Sequence, residues 1–179
     1  NSKFGKSFRL WSVSRPYELD IIESLENKYG ELDDKSSLGL AIKSVSKILV
    51  EDNMQDYLED LKFYRENSSL EPMTDEAVQL LFQNALENSI AFSMIKRCGL
   101  NSNDYFTNED FTPILVFDSY ETITRLGVAT SEISEMGIRE IYNTIKKLRI
   151  NEINKIRTFD IDKDLSYDVS ESRETVERR

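Results

Sequence analysis

Apolar residues recur along this chain mostly three or four positions apart, the period of a helix packed on one face. Over 8–13 (FRLWSV) the pattern alternates instead and predicts one short strand. Ser14 then reads as the cap of a first helix opening near Pro16, with Leu19, Ile22, Leu25 and Tyr29 on one face and Gly30 as its stop. Leu38, Ala41, Ile42, Val45, Ile48 and Leu49 predict a second helix, and Met54, Tyr57, Leu58 and Leu61 a shorter third one.

The fourth helix carries the strongest signals. Thr74 is its N-cap, Asp75 and Glu76 suit the positive end of its dipole, and Gly99 is the expected left-handed residue past its end. Val78, Leu81, Phe82, Ala85 and Phe92 form one stripe and Leu86, Ile90 and Met94 another, so this helix is expected to pack centrally, on both sides. After a polar loop with Tyr105, Phe106 and Phe111, the run 114–117 (ILVF) reads as strand or buried coil. Ser119 caps a short helix ending at Gly127, and a long one follows over about 131–149, with Ile133, Ile141, Ile145 and Leu148 inward. From 151 the periodicity dissolves into charge. The expected fold is mainly α, about six helices with one or two short strands: one compact domain over 1–150 and a charged tail over 151–179, docked in part and otherwise mobile.

Composition narrows the chemistry. The 179 residues include 33 Asp plus Glu, 23 Lys plus Arg and no histidine, a net charge of −10. Without histidine there is no Ser-His-Asp or Cys-His machinery and no H-E-x-x-H zinc helix. Cys98 is the only cysteine, so an internal disulfide is ruled out and a reducing, cytoplasmic setting is expected. No apolar run reaches the roughly 20 residues of a membrane span, and no signal peptide or membrane partner is expected. No cofactor, metal or catalytic residue is predicted. Cys98 lies beside Lys96 and Arg97, which favours a thiolate, yet the end of a helix is also an ordinary place for a buried small side chain. Asp160, Asp162, Asp164, Asp168 and Glu171 follow the spacing of a calcium loop, but Leu165 stands where that loop needs glycine.

Charge is distributed unevenly. Residues 51–76 hold nine carboxylates against Lys62 and Arg65. Within that segment Glu51, Asp52, Asp56, Glu59 and Asp60 are the candidate surface for a basic protein partner. Over 139–157 the balance reverses, and Arg139, Lys146, Lys147, Arg149, Lys155 and Arg157 are the candidate contacts to nucleic acid. Solvated helix faces would show the same pattern. An exposed stripe on the last helix would permit a homodimer.

Two stretches carry a resemblance: LFQNALENSIAFSMIKRCGLNSNDYFTNEDF (81–111) and TITRLGVATSEISEMGIREIYNTIKKL (122–148). Together they resemble the region that precedes helicase- or methylase-like domains in large proteins of conjugative elements. More distantly, the chain is similar to the metallopeptidase-type domain of ArdC-type antirestriction proteins. In active relatives a zinc site takes its third ligand from a glutamate in a segment resembling A-E-S-V-A-Y. The corresponding segment here is Glu87-Asn88-Ser89-Ile90-Ala91-Phe92, with Asn88 at the ligand position and Glu87 about 100° round the helix. An amide is a poor ligand for zinc, so the resemblance implies a kept fold without the enzyme. It further implies a mobile-element protein that antagonises host DNA defence, of antirestriction or anti-CRISPR type, binding a restriction or RNA-guided nuclease, DNA, or both. The alternatives are an accessory DNA-binding domain of a conjugative-transfer helicase or methylase, and a residual metal-dependent hydrolase.

Overall fold

The computed structural model describes residues 17–176, with side chains as far as 157. Among them are four α-helices, α1 (Glu18–Tyr29), α2 (Leu38–Phe63), α3 (Asp75–Arg97) and α4 (Tyr120–Val176), and two 3₁₀ segments, Ser102–Asp104 and Asn108–Val116. The chain divides into two compact units, the first ending at Tyr142 and the second starting at Asn143. The first is a compact helical bundle; the second is the continuation of α4.

The bundle's helices begin and end where local chemistry dictates. The hydroxyl of Ser37 accepts from the Leu40 amide and opens α2, and the hydroxyl of Thr74 accepts from the Ala77 amide and opens α3. Gly30 closes α1 at φ 97°, and Gly99 follows α3 at φ 72°, a region open to glycine at no steric cost. Helix α3 is central as expected: Val78, Phe82 and Ala85 on one stripe and Leu86, Ile90 and Met94 on the other are all buried. It packs on α2 and on the 3₁₀ segments, and α1 packs on α2. The first part of α4 closes the bundle. At Gly137 a Cβ would fall on the end of the Met94 side chain and within 3.3 Å of Leu49, so glycine lets α4 approach α2 and α3 closely. On the other side of the core Gly39 makes the same kind of room for the ring of Tyr105.

Several expectations are corrected. Leu19 is 78% exposed, and Ile21 takes its place in the core beside Ile22 and Leu25. The predicted second and third helices are one helix, α2. The run 114–117 forms no strand: Ile114, Leu115 and Val116 end a 3₁₀ segment in which Asp110 and Thr107 form a capping box. The helix expected to stop at Gly127 runs on through the next predicted helix and the tail, to Val176. No strand occurs among the described residues, and the strand expected over 8–13 lies outside them, as does the Ser14 cap. The calcium-loop spacing over 160–171 falls inside α4, whose helical backbone does not curl round a cation as that loop must.

Candidate partner-binding surface

Helix α2 presents its acidic residues unequally. Asp52, Asp56, Glu59 and Asp60 are all exposed and, at 100° per residue, share an arc of about 100° next to α4. Glu51 is exposed as well, but lies roughly 130° from the middle of that arc and does not join it. The arc continues onto α4, where Glu132 accepts a 2.6 Å hydrogen bond from the Tyr57 hydroxyl. Between the two helices is a cavity of about 430 Å³. Leu49 and Met136 give it apolar walls, Asp52, Glu132 and Glu135 give it carboxylates, and Arg139 with Lys28 and Tyr29 of α1 completes it, so three carboxylates face two cations.

Ion pairs fix the rim without neutralising it. Arg125 of α4 bonds Asp60 at 3.0 Å and lies over the Tyr64 ring, 4.3 Å from its centroid. Lys62 reaches Glu59 at 3.2 Å. Asp52 and Asp56 stand clear of these pairs and are exposed. Exposed ion pairs add little stability, about 0–1 kcal/mol each, so the effect of this rim is on the field it projects.

Tyr57 records that field. Its hydrogen bond to Glu132, aided by partial burial, pushes the phenol up to about 12 from an ordinary 10.0. A raised folded-state value means the protonated phenol is favoured in the folded protein. Its contribution to stability is therefore full below about pH 10 and is lost as pH rises through about 12. Ultraviolet titration should show a tyrosine ionising at about pH 12, and Glu132→Gln should lower it; no tyrosine ionising that late would contradict the contact.

The predicted basic residues do not form one patch. Arg139 lies in the bundle, bonds Glu135 at 2.7 Å and lines the acidic cavity. Lys146, Lys147, Arg149, Lys155 and Arg157 are exposed on α4 in the second unit. Lys146, Arg149 and Arg157 share an arc of about 80° of that helix, whereas Lys147 and Lys155 fall outside it.

The positions singled out for chemistry have structural partners. The Asn88 amide donates to the Asp110 carbonyl at 2.8 Å and ties α3 to the 3₁₀ segment, while Glu87 accepts from Gln83. Cys98 is 2% exposed, and burial pushes its thiol up to about 12, which suppresses the thiolate its basic neighbours would favour. Among the described residues no group of His, Cys, Asp and Glu is placed to hold a metal ion, and no helix is long and apolar enough to cross a membrane. Glu132 and Glu135 were missed in the sequence because they lie some 75 residues from Tyr57 along the chain, and only packing of α4 on α2 joins them. No family model, curated protein or solved structure matches the chain.

Proposed function

We propose that the chain is a non-catalytic mobile-element protein that antagonises host DNA defence by laying its acidic surface on the basic nucleic-acid channel of a nuclease. The observation that carries this reading is the run of exposed carboxylates Asp52, Asp56, Glu59 and Asp60 along one arc of α2, continued onto α4 by Glu132 and Glu135, which with Asp52 border one cavity. A nuclease channel is basic because it must neutralise phosphates, and a carboxylate rim on a rigid scaffold competes for the same cations. Exposed Asp52 and Asp56 supply long-range attraction, which raises the rate of encounter. The resemblance of 81–111 and 122–148 to conjugative-element proteins supports the same biological setting.

The deciding experiment is a challenge assay in bacteria carrying an active restriction or RNA-guided nuclease. Expression of this chain should protect a targeted plasmid, raising its recovery at least tenfold. The Asp52→Lys, Asp56→Lys variant, expressed equally, should not protect. Equal loss of plasmid with and without the chain, across several defence systems, would sink the proposal.

A second reading rests on the five exposed cations of α4 beyond Tyr142 (Lys146, Lys147, Arg149, Lys155 and Arg157), which suit an accessory DNA-binding domain of a transfer protein. In that case the protein binds duplex DNA alone, with steep salt dependence, and charge reversal at Lys146, Lys147 and Arg149 removes the binding.

A further inference from the structure

A second cleft lies on the other side of α4, between it and the C-terminal turns of α3. It encloses about 560 Å³, within the range of roughly 300–1,000 Å³ that holds small organic ligands. Phe92, Ile114, Ile123 and Leu126 form its apolar wall, and Thr130, Ser131 and Ser134 stand on its far side. Lys96 and Arg97 complete it as cations.

Three features set this cleft apart. First, its lining contains no carboxylate. With 33 in 179 residues, about two would fall in any twelve-residue lining of average composition. In a chain of net charge −10, this lining carries two cations and no anion, with Glu135 in the adjoining hollow beside Arg97, Ser131 and Ser134. Second, Lys96 and Arg97, both exposed, stand side by side in the lining. Third, Gly127 sits inside α4, exposed, and a Cβ there would meet nothing within 4 Å. An interior helical glycine costs about 1 kcal/mol relative to alanine. Neither backbone conformation nor a close neighbour requires it here, but its missing side chain keeps the cleft open.

We propose that this cleft binds a small organic anion with an apolar body. The charged head lies by Lys96 and Arg97, and the body lies against Phe92, Ile114, Ile123 and Leu126. Lys96 is already placed over the Phe92 ring, 5.5 Å from its centroid, so cation and apolar surface meet at one end of the site. This assignment is independent of the acidic rim.

The test uses two probes that share an aromatic body and differ in charge: anilinonaphthalene sulfonate and the uncharged phenylnaphthylamine. Fluorescence titration of the full chain should give one sulfonate bound per molecule, at least tenfold tighter than the neutral probe. Lys96→Gln with Arg97→Gln should weaken the sulfonate about tenfold and leave the neutral probe unchanged. Gly127→Leu, which fills open space on a helix, should abolish binding of both while circular dichroism stays the same. Absence of sulfonate binding, equal or tighter binding of the neutral probe, or sulfonate binding undiminished in either variant would overturn the site. Should Gly127→Leu fail to fold, the exposed Lys96 and Arg97 pair decides alone.

Discussion

Replacing Phe82 by alanine should cost about 3–5 kcal/mol of folding stability, the usual range for an aromatic side chain removed from a core. Phe82 is fully buried in the middle of α3, and its ring lies 6.1 Å from that of Phe117, the buried residue that ends the second 3₁₀ segment. Removing it would leave a void bounded by the central helix and by the segment that leads into α4, and neither can move inward without the other. Total stability of a domain this size is about 5–15 kcal/mol, so the variant should unfold at a much lower urea concentration with an unchanged denaturant slope. Phe63→Ala, at a position 75% exposed, should shift the midpoint little, within about 0.5 kcal/mol. A loss below about 1 kcal/mol for Phe82→Ala would mean that α3 is not the centre of the core.

Reversing Asp52 and Asp56 to lysine should have the largest effect on binding. Both are exposed on α2, so the fold should be indifferent to the change, whereas the rim loses two negative charges and gains two positive ones. Electrostatic steering is worth roughly 10- to 1,000-fold in association rate. On the proposed docking mode the variant should associate with a target nuclease at least tenfold more slowly at low ionic strength. The deficit should shrink as salt rises, because exposed charges are screened beyond about 10 Å at 0.1 M. Glu59 and Asp60 make poorer test positions, since Lys62 and Arg125 already bond them and their removal would also free those cations. Stopped-flow association across a salt series decides the matter: identical rates for parent and variant at low salt would exclude docking through this rim.

The readable parts of the fold were those in which one local signal agreed with another. For α3, Thr74, Gly99 and two apolar stripes all pointed to one helix, and it forms with those limits. Helix α2 was harder because its apolar positions change sides. The set Leu38, Ala41, Ile42, Val45 and Leu49 lies roughly 160° round the helix from Met54, Leu58 and Leu61, as the helix passes from one set of neighbours to another. Periodicity breaks there although the backbone does not. Around 107–116 the sequence reads as a polar loop followed by four consecutive apolar residues that suit a strand or buried coil, and the cap made by Thr107 with Asp110 emerges only in the structure. Gly127 resembled a stop signal, and only tertiary structure shows it exposed inside a continuous helix. The candidate surface was half legible: its α2 residues stood out as a charge run, while Glu132 and Glu135 needed the packing of α4. Glu51 and Arg139 carried the expected sign but not the expected neighbours.

The glycine at 137 has a consequence for communication across the bundle. The acidic rim and the second cleft use faces of α4 about 140° apart, so one rod carries both. If α4 could slide or roll, filling one side would be felt on the other. Gly137 seats that rod in a notch formed by Met94 and Leu49, and sliding by even one residue would drive a side chain into it. The two faces therefore share a helix held against sliding, so any coupling between them must pass through side chains such as Glu135, which borders the hollow lined by Arg97, Ser131 and Ser134, and not through motion of the rod.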